Sequence, residues 1–227
     1  MAIRYDTILP DILSMVPACP EVIAERSIRS SVIELCEKTD AYQVQLDPIT
    51  VVAGIYEYDL EPPTGTIVHR IIWMTHEGKT LEPVSSGLLE QRKENWRNDT
   101  GTPEYFIKQG LSIVNLVPVP SATVSQGVEI RVALKPTQTS NACDDGIMTD
   151  YRDTIVNGAL FRLTRMPSQD WTDFAAAQIY NGLFNEGLIY AERRGRQADN
   201  PVVAKVRYGG LYGGRKTRKY AGRKSFI

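Results

Sequence analysis

The chain has 227 residues, 42% of them apolar, with 26 Lys and Arg against 27 Asp and Glu. That is enough apolar content for one or two packed domains, and no apolar run approaches the roughly 18 residues of a membrane-spanning helix. The near-neutral total hides an asymmetry: residues 201–227 hold eight Lys or Arg and no Asp or Glu, which leaves residues 1–200 with a net charge of −9.

The start of the chain, Met1-Ala2-Ile3-Arg4-Tyr5-Asp6, lacks the basic and apolar regions of a secretory signal. Asp6 to Val16 is predicted to form a short helix, capped by Asp6 or Thr7, with Pro10 near its start. Pro17 and Pro20 punctuate the chain, and Pro20 suits the first position of a second helix. In that helix Ala24, Ile28, Val32 and Leu35 share one face, while Glu25 with Arg29 and Glu34 with Lys38 form i,i+4 pairs on the wet side. It should fade near Thr39-Asp40.

From Tyr42 the period changes to two. Val44 and Leu46 alternate with glutamines, and Tyr56, Tyr58 and Leu60 with Glu57 and Asp59. Pro62-Pro63-Thr64-Gly65 is a break. Ile67 to Thr75 reads as a strand that Glu77-Gly78 turns into a partner over Lys79 to Val84. Ser85 to Arg97 is a polar excursion holding a short helix. Tyr105 to Lys108 and Leu111 to Val117 form a second hairpin about Gln109-Gly110, ended by Pro118-Val119-Pro120. Val128, Ile130, Val132 and Leu134 line one face of a last strand. So many short strands over residues 41–146 indicate a small sandwich or barrel.

Asn141 to Gly146 reads as a polar turn, after which helix returns. Tyr151, Ile155, Ala159, Leu163 and Met166 form a stripe, with Asp150 and Asp153 in the first turn. Pro167-Ser168 breaks it. Phe174, Ala177, Asn181, Phe184, Leu188 and Ala191 then recur at spacings of three and four, the seam of a helix packed on its neighbour. The expected fold is therefore α+β: a bundle of about four helices from residues 1–40 and 147–200, an inserted antiparallel β-domain over 41–146, and a basic C-terminal arm over 201–227.

The arm holds five glycines and few aliphatic residues, too little apolar surface to offset the entropy of ordering alone. It is suited to reaching a partner. Its tyrosines Tyr208, Tyr212 and Tyr220 can stack on bases or anchor in a protein groove, and a merely solubilising tail would use the same composition. An arm–DNA interaction has to overcome the acidic body, which repels phosphate.

Signals for catalysis are thin. His69 and His76 lack the convergent Cys, His or Glu that a metal requires. Cys19, Cys36 and Cys143 are an odd number without C-x-x-C spacing and read as reduced, intracellular and structural. Asp99-Thr100-Gly101 matches the tripeptide of aspartic proteases, but loop-type neighbours make it a turn. Asp144-Asp145-Gly146 lacks the spaced oxygens of a calcium loop and suits a helix cap. Gly209-Gly210-Leu211-Tyr212-Gly213-Gly214 has neither a preceding strand nor a following Gly-Lys-Ser/Thr, so flexibility explains it better than a phosphate cradle. No catalytic residue, cofactor or metal is expected. A nucleic-acid-binding protein and a carbohydrate-binding or hydrolytic β-domain are the competing classes.

The order of elements resembles the head-to-tail adaptor family of tailed bacteriophages. The resemblance rests on Ile8-Leu9-Pro10-Asp11-Ile12-Leu13, on Gly54 to Leu60 leading through Pro62-Pro63 to Ile67–Trp73, and on Glu77 to Val84. It continues in Trp96 with Gly101-Thr102-Pro103-Glu104-Tyr105, in Leu116 to Pro120, and in Tyr151 to Leu163 followed by Trp171 to Ala175. It implies a virion protein at the head-to-tail interface, assembled in the host cytoplasm. It implies a ring, generally of twelve copies, that docks on the portal protein, carries tail or nozzle proteins and lets genomic DNA pass without sequence-specific binding. It also implies that the arm reaches between portal subunits. The arm residues expected to make that contact are Arg207, Tyr208, Leu211, Tyr212, Arg215, Lys216, Arg218, Lys219, Tyr220, Arg223, Lys224 and Phe226.

Overall fold

The computed structural model describes residues 2–92 and 95–197. The chain begins on a short strand, β1 (Ala2–Arg4), and a 3-10 turn over Tyr5–Ile8 that runs into a single-turn helix, α1 (Leu9–Leu13). The helix expected over Asp6–Val16 is thus shorter. Neither Asp6 nor Thr7 caps it: the Thr7 hydroxyl donates to the Arg4 carbonyl at 2.7 Å and tightens the turn instead. Pro10 lies in the first turn of α1, where its missing N–H costs nothing.

Helix α2 (Glu21–Thr39) follows directly on Pro20, which is extended and stands just outside it. Ala24, Ile28, Val32 and Leu35 are fully buried along one face. The Glu25–Arg29 and Glu34–Lys38 pairs close at 3.4 and 2.5 Å. Asp40 ends the helix in the left-handed region, at φ 49°.

The strands follow as β2 (Gln43–Gln45), β3 (Ile49–Val51), β4 (Glu57–Asp59), β5 (Thr66–His76), β6 (Lys79–Thr80) and β7 (Glu82–Pro83). After helix α3 (Ser86–Arg92) come β8 (Thr100–Gly101), β9 (Tyr105–Gln109), β10 (Ile113–Val117), β11 (Val119–Pro120), β12 (Val124–Pro136) and β13 (Ala142–Asp144). One sheet runs β2-β12-β5-β6, with β3 also on β12; a second runs β4-β10-β9-β7. Between them lies an apolar core that includes Val68, Met74, Phe106, Leu116, Ile130 and Leu134. The Glu77-Gly78 turn has both residues at positive φ, 48° and 77°, as a tight two-residue hairpin requires.

Three strand expectations are revised. Lys79 to Val84 is not one strand: β6 pairs with β5, Leu81 plunges into the core, and β7 joins β9 in the other sheet. The segment therefore staples the two layers. Strand β12 is longer than expected and irregular, with register shifts between Arg131 and Val132 and between Ala133 and Leu134. These shifts let Ala133 be buried beside Val132 and Leu134, which strict alternation forbids. Finally, the polar turn expected over Asn141–Gly146 contains β13, which pairs antiparallel with β1.

Helices α4 (Asp145–Asp150), α5 (Arg152–Thr164) and α6 (Phe174–Gln197) complete the mixed α+β fold. Asp144 caps α4, its Oδ2 accepting from Gly146 N–H at 3.0 Å. About four bundle helices were expected; three long ones, α2, α5 and α6, pack together, with single-turn α1 against α2. Their core includes Ile28, Leu35, Ile155, Leu163, Phe184 and Leu188. The helices come unusually close at Gly158, where a Cβ would stand 2.1 Å from Ser31 Oγ and 2.7 Å from the Phe184 ring. Arg162 ties α5 to α2, donating to the Gly158 and Ser30 carbonyls and to Glu34. Burial lowers the pKa of its guanidinium, and the Glu34 carboxylate works against that shift.

Candidate assembly surfaces

Every arm residue singled out from sequence, from Arg207 to Phe226, lies outside the described residues. What the structure describes is the helix that leads to the arm. Asp173 starts α6, its Oδ1 accepting from the Ala175 and Ala176 N–H groups at 3.0 Å each. Of the predicted seam, Ala177, Phe184, Leu188 and Ala191 are buried and Asn181 is half-buried. Phe174 is not in the seam: at the first helical position it is 61% exposed.

The opposite face of α6 is more informative. At about 100° per residue, Ile179, Leu183 and Tyr190 fall on one outward stripe. They are 64%, 44% and 61% exposed, with Ile189 beside them at 50%. Scattered exposed apolar residues are ordinary, whereas an aligned set marks a contact surface. The sequence carried this signal: residues 174–191 are apolar on two faces, and one neighbouring helix accounts for only one of them.

The last turns of α6 are fastened to β2 and to the end of α4. Gln43 Nε2 donates to the Gly195 carbonyl at 3.0 Å, and Arg194 pairs with Asp150 at 2.8 Å while lying over the Tyr151 ring. Gly195 is needed for this approach, because a Cβ there would stand 2.7 Å from the Thr39 carbonyl oxygen. A cavity of about 540 Å³ opens at this junction, lined in part by Tyr42, Asp144, Asp150 and Arg194. Burial, with Asp144 adding to it, pushes the Tyr42 hydroxyl up to about 12.

The residues weighed for chemistry are dispersed. Asp99 precedes the short parallel pair of β8 and β11, and its carbonyl accepts from Val119 N–H at 2.8 Å. His69 is half-buried on β5, and His76 is buried at the end of that strand with Glu77 3.9 Å away. Cys19, Cys36 and Cys143 are buried free thiols. Hydrogen bonding to Cys143 and burial push the Cys36 thiol up, away from the thiolate a nucleophile needs. Among the described residues no cluster of His, Cys, Asp or Glu is suited to a metal ion, and no helix is long and apolar enough to cross a membrane.

A second cavity, of about 700 Å³, lies between the excursion that carries α3 and the outer face of the β4-β10-β9 sheet. Trp96, Leu89, Ile107 and Val117 form a small core beside it. Sequence reading assigned no role to this region beyond a short helix, because its parts come from segments some 20 residues apart.

A comparison with curated proteins gives no match. The family model for the SU10 adaptor protein matches residues 7–205, which takes in the bundle, both sheets and the first residues of the arm. The chain belongs to the SU10 adaptor protein family and is a bacteriophage structural adaptor of the virion.

Proposed function

We propose that this adaptor forms a closed ring, of twelve copies as the family resemblance implies, between the portal protein and the tail or nozzle proteins. The observation that carries the reading is the family match over residues 7–205. In this reading the chain has three parts: the bundle of residues 1–40 and 147–200 builds the ring, the β-domain of 41–146 offers the platform for the tail, and the arm of 201–227 docks on the portal. The outward stripe of Ile179, Leu183 and Tyr190 supports ring formation. A ring is made by one patch meeting a different patch on the next copy, and the stripe supplies one such patch. Residues 1–200 carry −9, a charge that repels phosphate and suits a channel through which genomic DNA slides.

Docking by the arm follows from its composition. Charge steers the encounter, Tyr208, Tyr212, Tyr220 and Phe226 supply anchors, and repetition around a ring multiplies a modest single-arm affinity. The test is to mix purified protein with portal rings and count copies by mass photometry and electron microscopy, using the full chain and a chain truncated at Val206. The full chain should add a closed ring and the truncated chain should not. A two-fold dimer on the portal, or assembly unaffected by truncation, contradicts this reading. Retained portal binding with lost, salt-sensitive DNA affinity favours a nucleic-acid-binding role for the arm.

A further inference from the structure

Two of the buried thiols stand at the two ends of one insertion. Cys36 lies on the buried face of α2, and its carbonyl accepts at 3.2 Å from the Asp40 N–H that ends the helix, just before the chain enters the β-domain through β2. Cys143 lies in β13, after the chain has left that domain along β12. Both belong to the core of the bundle, and the two thiols are hydrogen-bonded to each other. Two tyrosine hydroxyls meet the same pair. Burial pushes the Tyr5 hydroxyl up, and Cys143 and Cys36 both add to that shift. Both also add to the shift of Tyr42, behind burial and Asp144. Cys19 is not in the pair: its Sγ donates to the Pro20 carbonyl at 3.5 Å.

Access is unequal. Cys36 is fully buried on a long helix, whereas Cys143 is 3% exposed on a three-residue strand. Among the described residues β13 has β1 as its one strand partner, through three residue pairs, with Cys143 opposite Ile3. So short a pairing opens locally while the bundle stays folded, and a small oxidant then reaches Cys143 first. Bringing hydrogen-bonded sulfurs to the bonded distance of about 2.05 Å asks for side-chain rotation.

We propose that Cys36 and Cys143 are a redox-sensitive staple, which a peroxide joins as a disulfide across the neck of the β-domain and a thiol reductant reopens. In the first step the Cys143 sulfur attacks one peroxide oxygen. The O–O bond breaks, the other oxygen leaves as water with the thiol proton, and Cys143 becomes a sulfenic acid. In the second step the Cys36 sulfur attacks the sulfenic sulfur, the S–O bond breaks, and the hydroxyl leaves as a second water with the Cys36 proton. Two electrons pass from the two sulfurs to the peroxide. The closed loop spans about 100 residues and contains the whole β-domain, the case in which a cross-link constrains the unfolded chain most. That the reduced pair belongs to assembly inside the host and the disulfide to the released virion rests on the adaptor reading; the pairing of the thiols does not.

The experiment exposes the reduced full chain to dilute hydrogen peroxide near neutral pH. Catalase then removes the peroxide, and the chain is unfolded with N-ethylmaleimide and weighed. All three thiols should take up label before oxidation and one after it, with the unlabelled mass lower by two hydrogen atoms. Digestion should yield the Cys36 and Cys143 peptides joined. The Tm of the cross-linked chain should rise by about 5–15 °C and fall back on adding dithiothreitol. Cys36→Ala and Cys143→Ala should each form no cross-link and show no rise, and Cys19→Ala should keep both. Each variant is compared with its own reduced form, so a folding defect cannot imitate the result. Three labelled thiols after a dose that fully oxidises glutathione in a parallel tube would overturn the proposal. So would a cross-link through Cys19, a sulfinic acid at Cys143 without a bond to Cys36, or a Tm that does not rise. Portal-ring assembly of the reduced parent is measured in parallel. Rings from a chain that forms no disulfide sink the staple alone, whereas a disulfide in a chain that forms no rings sinks the adaptor reading alone.

Discussion

Gly158 is the tightest point of the bundle, and replacing it with alanine sets two known effects against each other. Ala is favoured over Gly inside a helix by about 1 kcal/mol, so propensity alone predicts a more stable protein. The structure predicts the reverse. The new Cβ would stand 2.1 Å from Ser31 Oγ and 2.7–2.8 Å from two Phe184 ring carbons, distances at which something must shift. Ser31 and Phe184 are both buried, and Ser31 Oγ is committed to the Ile155 carbonyl at 3.0 Å. Forced repacking in a dense core costs about 1–3 kcal/mol, more where backbone must move. A contact of 2.1 Å takes the upper part of that range, about 2–3 kcal/mol, so less the propensity gain Gly158→Ala should destabilise by about 1–2 kcal/mol, or a fall of about 2–8 °C in Tm for a chain of this size. Ser31→Ala alone should cost about 1 kcal/mol through the lost hydrogen bond. The double variant should cost clearly less than the two together, because removing the hydroxyl relieves the closest contact while the Phe184 contact persists. Urea titrations followed by far-ultraviolet circular dichroism measure all three. A Gly158→Ala protein as stable as its parent, or strict additivity in the double variant, would refute the close-approach argument.

Leu183→Asp and Tyr190→Asp, on the outward stripe of α6, should leave the melting temperature within about 2 °C of the parent yet abolish ring closure on portals; rings of normal mass from both variants contradict the stripe as an interface. Phe184→Ala removes a fully buried ring and should cost about 3–5 kcal/mol by urea titration; a loss under about 1 kcal/mol would mean that the three helices are not packed as described. Tyr42 holds its proton up to about 12 in the fold and releases it near 10 when unfolded. Its contribution is therefore complete below about pH 10 and is lost as pH rises toward 12, and Tyr42→Phe should flatten that alkaline limb of a plot of Tm against pH. An unchanged limb would contradict burial of the hydroxyl. Truncation at Val206 should leave the melting curve nearly unchanged while portal assembly is lost, and a truncated chain that fails to fold would show that the arm belongs to the core.

The long helices and the hairpins were legible because periodicity and turn chemistry act locally. Ala24, Ile28, Val32 and Leu35 announce a buried helical face with no knowledge of what covers it. Glu77-Gly78 and Gln109-Gly110 announce tight turns by backbone permissiveness alone. What sequence hid was long-range. The transfer at Leu81 depends on which sheet each neighbour joins, and the pairing of β1 with β13 joins residues about 140 apart. Nor does a local pattern distinguish Gly158, whose need for a bare Cα comes from Ser31 and Phe184 on two other helices. The same reason hid the cavity of Trp96 and Asn115. Each residue is unremarkable in its own segment, and only folding leaves both with a polar atom that has no partner among the described residues.

The attachment of the β-domain has a mechanical consequence. The chain enters it through β2 and leaves along β12, and these two strands are hydrogen-bonded to each other, with Leu134 N–H also donating to the Tyr42 carbonyl at 2.8 Å. Tension on the domain is therefore shared by two parallel tethers anchored side by side, not carried by one covalent thread. The end of α2 braces that stem sideways through Glu37 with Lys135 and Asp40 with Arg70. Those braces add to the stiffness of the joint, and one of them, through Arg70, is open to solvent and to screening by salt. The β-domain should therefore swing more freely against the bundle at high ionic strength, with its own sheets unaltered.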